Sequence, residues 1–191
     1  MTEVPIRVEL VDAQVVRPLR RAVLRPDQPA DLSVYPGDDD PRSAHAAVRL
    51  ASDVTADVVA VGSVLPCPAP WAPPPADGWR IRGMATRPDA RGRGVGRSVL
   101  DALLGHVGAA GGGLLWCNAR VPARRLYARA GFASRGEVFD IPGIGPHIVM
   151  CRTLDAATPS RAPESRTPAS RTPTDRRPLT DESGSGDHPG N

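Results

Sequence analysis

Apolar side chains in the first half of the chain recur at the spacings of short strands and one helix. Three apolar-rich runs have the length and composition of strands, at residues 7–11, 46–50 and 57–65. Gly62, inside the third run, is a candidate bulge. Residues 16–24 space their apolar side chains as a helix does, and the proline-rich residues 66–75 predict a connection because proline cannot donate to a sheet ladder.

The second half of the chain alternates between the two patterns. A strand is expected at each of four runs, residues 79–86, 114–118, 137–141 and 147–154. An amphipathic helix is predicted over residues 95–107 from one apolar stripe, formed by Val95, Val99, Ala102, Leu103 and Val107. A second helix, over residues 122–130, opens with proline and is followed by Gly131. Strands that alternate with helices in this way predict an α/β sandwich layered around one sheet.

Large apolar side chains nearly vanish after Leu154. Residues 160–179 repeat a five-residue pattern as SRAPE, SRTPA, SRTPT and DRRPL. Such a segment cannot bury enough apolar surface to offset its conformational entropy. We therefore expect a single domain at residues 1–154 and a disordered tail at residues 155–191. The tail is either simply solvated or uses its Ser/Thr-Pro steps for docking or phosphorylation.

Composition and charge exclude several classes of function. All 24 residues counted as Lys or Arg are arginines, which excludes the phosphate-binding lysine loop, Schiff-base catalysis and pyridoxal phosphate attachment. The formal net charge is only +3 and the arginines are scattered, so no nucleic-acid partner is expected. No apolar run approaches the ~20 residues of a membrane helix, and no signal core is present, so we expect a soluble cytoplasmic protein. Its three cysteines predict reduced thiols, and no metal-ligand spacing is present.

A glycine-rich turn joins the strand at residues 79–86 to the helix that follows. Residues 87–97 have the sequence RPDARGRGVGR. Glycines at alternate positions let the main chain approach a ligand closely, and the free N–H groups of a helix start attract an anion. The turn therefore predicts a phosphate site, where Arg91, Arg93 and Arg97 either add charge-assisted bonds or face water. A dinucleotide G-x-G-x-x-G pattern fails, because Arg97 stands where the third glycine belongs.

Two motifs in order resemble the GNAT N-acetyltransferase superfamily. The first is R-x-x-G-x-G at Arg91, Gly94 and Gly96, within a run that resembles the superfamily's acetyl-CoA-binding motif, MATRPDARGRGVGRSVLDALL. The second, at residues 118–132, resembles the superfamily segment N-A-R-x-x-A-x-x-[FL]-Y-x-x-x-G-F. The resemblance implies an α/β fold with a GNAT-like mixed sheet flanked by helices.

The end of the predicted domain is similar to one small bacterial branch of that superfamily. Residues 143–147, followed by Met150, are similar to the branch's G-I-P-H-x-x-M ending, but Gly145 is inserted before the proline and histidine. A second departure is Arg120, which stands seven residues before the tyrosine, where the wider superfamily often has asparagine. The insertion leaves the placement of His147 open.

The resemblance also implies a cosubstrate, acetyl-CoA, and no metal. Three residues of the strand at 79–86 would pair with its pantetheine arm through their main chain, namely Met84, Ala85 and Thr86. The turn would hold the pyrophosphate through Gly92, Arg93, Gly94, Val95, Gly96 and Arg97, with Arg91 beside them. Asn118 either bonds the cofactor or a bridging water, or caps the segment that follows it.

Acyl transfer to an amine needs a base and a proton donor for the leaving thiolate. Tyr127 matches the family tyrosine near the thioester sulfur and is either that donor or a packed helix tyrosine. The base is His147 or Glu137, acting directly or through water, since imidazole exchanges protons near neutral pH. Glu137 and Asp140 fall on opposite faces of their strand by alternation, so that at most one easily faces the site. His45 is expected to be structural.

These assignments predict an enzyme that transfers an acetyl group from acetyl-CoA directly to a primary amine of a small molecule or a protein. The alternative is a non-catalytic module that binds acetyl-CoA as a sensed ligand, in which Tyr127 would be dispensable. The acidic residues 38–40 are either a solvated turn or an attractor of a cationic substrate. By resemblance a homodimer is the default, and no membrane partner is expected.

Overall fold

Seven strands form one mixed sheet in the part of the chain that the computed structural model describes, residues 6–27, 29, 33–50, 57–73 and 77–157. The strands are β1 (Arg7–Val11), β2 (Ala44–Arg49), β3 (Val58–Pro66), β4 (Trp79–Thr86), β5 (Gly113–Arg120), β6 (Ala133–Ile141) and β7 (Gly145–Leu154). Their order in the sheet is β1-β2-β3-β4-β5-β7-β6. Only β4 and β5 are parallel neighbours; the other pairs are antiparallel. The predicted α/β fold with a mixed sheet is confirmed.

Helices cover both faces of this sheet. Helix α1 (Ala13–Leu24) packs on the face to which Ala47 and Val61 point, and we call this the α1 face. Helix α2 (Val95–Ala109) and the short α3 (Arg124–Arg129) pack on the opposite face, the α2 face, which carries the larger apolar core. The core sits there because the predicted stripe of α2 is buried against Ile81 and Leu115.

The element predictions hold with shifted ends. Helix α1 begins at Ala13, three residues before the predicted start, and β6 begins at Ala133, four residues before the predicted start. The helix predicted over residues 122–130 is divided into a 3₁₀ turn, Val121–Ala123, and α3. The predicted tail, apart from residues 155–157, lies outside the described residues, so that the domain boundary after Leu154 stays a prediction. No described helix has both the length and the apolar composition needed to cross a membrane.

A bulge interrupts the ladder between β3 and β4. Gly83 and Met84 of β4 stand together opposite the single residue Gly62 of β3. The extra residue is therefore on β4 and not at Gly62, where the sequence suggested it. Gly83 has a φ of 65°, which glycine adopts without a Cβ penalty. Gly62 serves a different need, because a Cβ there would collide with the Met84 sulfur and lie 2.8 Å from Val99 Cγ1.

A buried polar cluster lies between α1 and the sheet. Arg20 donates to Asp38 Oδ2 at 2.8 Å and to Ser63 Oγ at 2.6 Å. His45 links Ser63 Oγ, 2.7 Å from its Nδ1, to the main-chain oxygen of Asp38, 2.9 Å from its Nε2. The expectation that the acidic residues 38–40 form a solvated turn is thus wrong for Asp38, whose side chain is fully buried. His45 is structural, as expected.

Candidate active site

Strands β4 and β5 separate soon after they begin. They pair at only two positions, Trp79 with Leu115 and Arg80 with Trp116. The bulge at Gly83 lies just beyond and bends β4. From there to its end, β4 turns main-chain N–H and C=O groups toward a gap instead of toward β5.

A cleft of ≈ 700 Å³ occupies this gap. It brings together eight of the residues predicted from the sequence: Met84, Ala85, Thr86, Arg91, Gly92, Asn118, Tyr127 and His147. The remaining predicted residues of the turn lie beyond Gly92, where α2 begins: Arg93, Gly94, Val95, Gly96 and Arg97. Glu137 does not line the cleft.

The cleft crosses the sheet from one face to the other. Along β5, Cys117 belongs to the core on the α2 face. Side chains alternate between the two faces of a strand, and Asn118 and Arg120 stand one and three residues after Cys117. Asn118 and Arg120 therefore point to the α1 face. Tyr127 packs in the same core as Cys117. His147 pairs with Arg120 across the ladder and shares its face. A ligand in the gap would meet Tyr127 on one side and His147 on the other.

The glycine turn has the geometry of an anion cradle. Gly92 and Gly94 have φ angles of 77° and 80°, and Gly94 is the N-cap of α2. A Cβ on either would have no other atom within 4 Å, so that the main chain is open on that side. Gly96 lies close to β4, because a Cβ there would be only 3.3 Å from Thr86 Oγ1. The N–H groups of Val95 and Gly96 precede the first hydrogen bond of α2, from Arg97 N to Gly94 O, and are available to a phosphate.

The arginines of this turn differ in their surroundings. Arg91 Nε donates to the main-chain oxygen of Thr86 at 3.4 Å and so lies beside the gap. Arg97 forms an ion pair with Asp101 at 2.8 Å and donates to the main-chain oxygen of Arg129 at 2.9 Å. Its guanidinium therefore joins α2 to α3 and does not point into the turn.

Tyr127 is a buried acid that keeps its proton. Burial, then the neighbouring Cys117, raises the pKa of the Tyr127 phenol well above 10. Burial also raises the pKa of the Cys117 thiol to about 12. The two groups lie in the same core, and each affects the pKa of the other. Near neutral pH Tyr127 can donate a proton, whereas Cys117 is not a thiolate nucleophile.

His147 is held with one ring nitrogen oriented. Its Nδ1 lies 2.7 Å from the main-chain oxygen of Gly145, which can only accept, so we assign the hydrogen of the neutral ring to Nδ1. Nε2 then carries the lone pair. The ring is buried and packs at 6.1 Å between centroids against Phe139. The inserted Gly145 is thus the residue that fixes the histidine.

Glu137 lies in an irregular part of β6. Arg135 pairs with Val149 and Phe139 with His147, so that β6 has two more residues than β7 between these pairs. Gly136, with a φ of 72°, belongs to this bulge. Alternation cannot be counted through it. Glu137 is exposed, outside the cleft.

Asn118 faces the cleft beside this histidine. It stands opposite Val149 in the β5–β7 ladder, two residues before Arg120, which pairs with His147. The following 3₁₀ turn has Arg120 as its N-cap and no side-chain capping bond. The capping role considered for Asn118 is therefore not seen.

The cleft residues on the α1 face that were not predicted from the sequence include Tyr35, Arg80 and Arg82. Arg82 lies over the Tyr35 ring at 3.8 Å from its centroid, and Arg80 lies over the Trp116 ring at 4.5 Å. The sequence did contain a signal for Arg80 and Arg82. They are two residues apart on the strand before the glycine turn, which places two charges on one face. No group of three or more His, Cys, Asp or Glu side chains that could hold a metal occurs among the described residues.

Comparison with known proteins supplies the family. Residues 17–132 match the model of the Acetyltransferase (GNAT) family. The chain is similar to YitI of Bacillus subtilis strain 168, an uncharacterised N-acetyltransferase. The identity is 32% over 149 residues, which are 78% of this chain and 97% of YitI.

Solved structures share the fold at lower identity. A GCN5-related N-acetyltransferase from Kribbella flavida has a TM-score of 0.57 and 20% identity, covering 78% of this chain and 98% of its own. The NatC complex bound to Gag peptide and CoA gives a TM-score of 0.62 at 14% identity, with the same two coverages. These two likenesses concern the fold alone. Together with the family match and YitI, the cleft and its motifs show that the chain belongs to the GNAT family and is an N-acetyltransferase.

Proposed function

We propose that the chain transfers an acetyl group from acetyl-CoA directly to a primary amine of an acceptor. The observation that carries this proposal is the gap between β4 and β5, which ends at the glycine turn. An extended arm with amide groups can pair with the side of β4 that faces the gap at residues 84–86, where β5 does not pair with it, as an added strand would. A pyrophosphate at the end of that arm then reaches the first N–H groups of α2.

The residues present fit acetyl-CoA. The main chain is open beside Gly92 and Gly94, where side chains would otherwise fill the cradle. The CoA bound to the structurally similar NatC complex is further support. When bound, acetyl-CoA supplies an acetyl group activated as a thioester. Arg91, beside the gap, is placed to add a charge-assisted bond to a phosphate oxygen.

His147 and Tyr127 then divide the proton transfers between them. Nε2 of His147, on the α1 face, takes the proton that the amine loses as its nitrogen bonds to the acetyl carbon. Tyr127, on the α2 face, donates its proton to the sulfur as the carbon–sulfur bond breaks. The raised pKa keeps this donor protonated until it is needed. Because the Cys117 thiol is also protonated, it offers no acyl-enzyme route.

The test is amine-dependent release of CoA by the wild type and by Tyr127→Phe, over a panel of amines. Phenylalanine fills the same buried space but has no proton to give, so we expect kcat to fall about a hundredfold while the Kd for acetyl-CoA, measured separately, stays within about twofold. Equal kcat values would remove Tyr127 from the chemistry. Binding of acetyl-CoA with no release for any amine would support the sensor alternative.

A further inference from the structure

Arginine side chains gather in the cleft. The described residues that line it include no Asp or Glu and five arginines: Arg25, Arg80, Arg82, Arg91 and Arg120. Arg25 is the C-cap of α1 and has an interaction of its own. Arg91 belongs to the glycine turn, and Arg120 donates to the main-chain oxygen of Leu24 at 3.2 Å. Arg80 and Arg82 remain as the candidates for an acceptor site on the α1 face.

Arg82 is held in place by aromatic stacking. The guanidinium groups of Arg82 and Arg20 lie over the Tyr35 ring, 3.8 Å and 4.2 Å from its centroid. Arg20 is fixed by its ion pair with Asp38, 2.8 Å from Arg20 Nη1 to Asp38 Oδ2. Among the described residues Arg82 has no ion pair, so its charge is positioned but not neutralised.

Arg80 repeats this arrangement two residues earlier on β4. Its guanidinium lies over Trp116 at 4.5 Å, and its buried Nε has no hydrogen-bond partner in the described structure. Side chains two residues apart on a strand share a face and are separated by about 7 Å. Burial, and after it the charge of Arg80, lowers the pKa of Arg82, as expected for two like charges that share a partly dry site.

Resting on the proposed function, we infer that the acceptor amine carries an anionic group, a carboxylate or a phosphate, which binds Arg80 and Arg82. Guanidinium groups bind both anions through paired N–H donors, and a dry, stacked site strengthens those bonds. The same charges repel an acceptor whose only ionised groups are amines. Arg82 directly precedes the bulge at Gly83, so the anion lies near the thioester end of the gap, which suits a compact molecule.

Matched amines test this inference. After calorimetry with acetyl-CoA, kcat/KM is measured by CoA release for amino acids against their own amides, and for phosphoethanolamine against ethanolamine. We expect the anionic member to be preferred in at least one pair; the two kinds of pair distinguish a carboxylate acceptor from a phosphate acceptor. Release with neutral amines only, or with none of the panel although acetyl-CoA binds, would overturn the inference but not the cofactor site. Failure to bind acetyl-CoA would instead remove the proposed function.

Variants of Arg80 and Arg82 test whether these two residues cause the preference for anionic amines. The preference is the kcat/KM for the anionic amine divided by the kcat/KM for its neutral analogue. Arg82→Gln and Arg80→Gln should each lower this ratio by about tenfold or more. Arg82→Lys, which keeps the charge, should restore part of it. The control is Arg7→Gln on β1, an exposed arginine at the far edge of the sheet, which should leave the ratio unchanged. Because the readout is a ratio, general damage to the fold does not mimic the result. An unchanged ratio in both cleft variants would refute the assignment.

Discussion

Asp38 and Asp39 are adjacent in the chain but have opposite environments. The Asp38 side chain is fully buried and bonded to Arg20, whereas that of Asp39 is 87% exposed and lies 3.3 Å from Arg17. Burial acts to raise the pKa of Asp38. The bonds from Arg20 and from the Tyr35 amide outweigh it, so that the pKa lies below its ordinary value. The carboxylate therefore stabilises the fold at neutral pH.

Asp38→Asn should lower the free energy of unfolding at pH 7 by about 3–5 kcal/mol, because it leaves Arg20 buried without its counter-ion. Asp39→Asn is the matched control and should change it by less than about 1 kcal/mol. Since a depressed pKa contributes stability above the unfolded value of about 3.9, the difference between wild type and Asp38→Asn should shrink as the pH falls below that value. Urea unfolding at several pH values measures it. A difference that grows on acidification would contradict the ion pair.

The sequence could not show that Asp38 is buried and Asp39 exposed. Three consecutive aspartates before a proline have the composition of a loop, and only the folded position of Arg20 shows which of them is buried. Tyr127 and Asn118 were predicted because a matched motif fixed their spacing. His147 was a candidate for its imidazole chemistry and its place at the start of the last strand, and the inserted Gly145 left its placement open. Arg80 and Arg82 belonged to no motif, and their importance depends on Tyr35 and Trp116, which are distant in the chain.

At the scale of elements, the bulge of β4 decides where the cleft opens. The Gly83 φ of 65° needs glycine, and a Cβ there would lie 2.7 Å from Arg20 Nε, whose side chain is fixed by its own hydrogen bonds. Gly136, in the bulge of β6, has a similar φ of 72° but open space around a Cβ.

Gly83→Ala should therefore destabilise the protein more than Gly136→Ala. The positive φ alone costs about 1–2 kcal/mol in each variant, and only Gly83→Ala adds the collision with Arg20, for about 1–3 kcal/mol more. Denaturant midpoints at a constant m-value measure the two costs. Equal costs would mean that the packing of Arg20 against the bulge is unimportant.

Most elements were predictable because their apolar spacing is set by local burial. The order of the strands was not, since β7 inserts between β5 and β6, a pairing that local pattern does not encode. The β6 bulge was also invisible, and it disturbs any count of alternating faces from Ser134 to Asp140. This is why Glu137 could be weighed beside His147 from the sequence, although the structure places only His147 in the cleft.

At the scale of the whole molecule, the cleft passes through the sheet. Tyr127 reaches it from the α2 face and His147 from the α1 face, so that cofactor and acceptor can be bound together. With the Cys117 thiol protonated, no covalent acyl-enzyme is expected. Initial-rate lines for one substrate at several levels of the other should therefore intersect, as they do when a ternary complex forms. Parallel lines, the pattern of a ping-pong mechanism, would contradict direct transfer.

Isothermal titration calorimetry with three proteins tests whether the glycine turn and the β4–β5 gap bind acetyl-CoA. Gly94→Glu places a carboxylate in the cradle, and Gly111→Glu is its control, with a φ of 101°, open space around a Cβ and a position after the end of α2. We predict equal Kd values for wild type and Gly111→Glu, and a Kd raised about a hundredfold or more for Gly94→Glu, since the carboxylate both blocks and repels the pyrophosphate. Wild-type affinity in Gly94→Glu, or no binding by the wild type, would contradict the account.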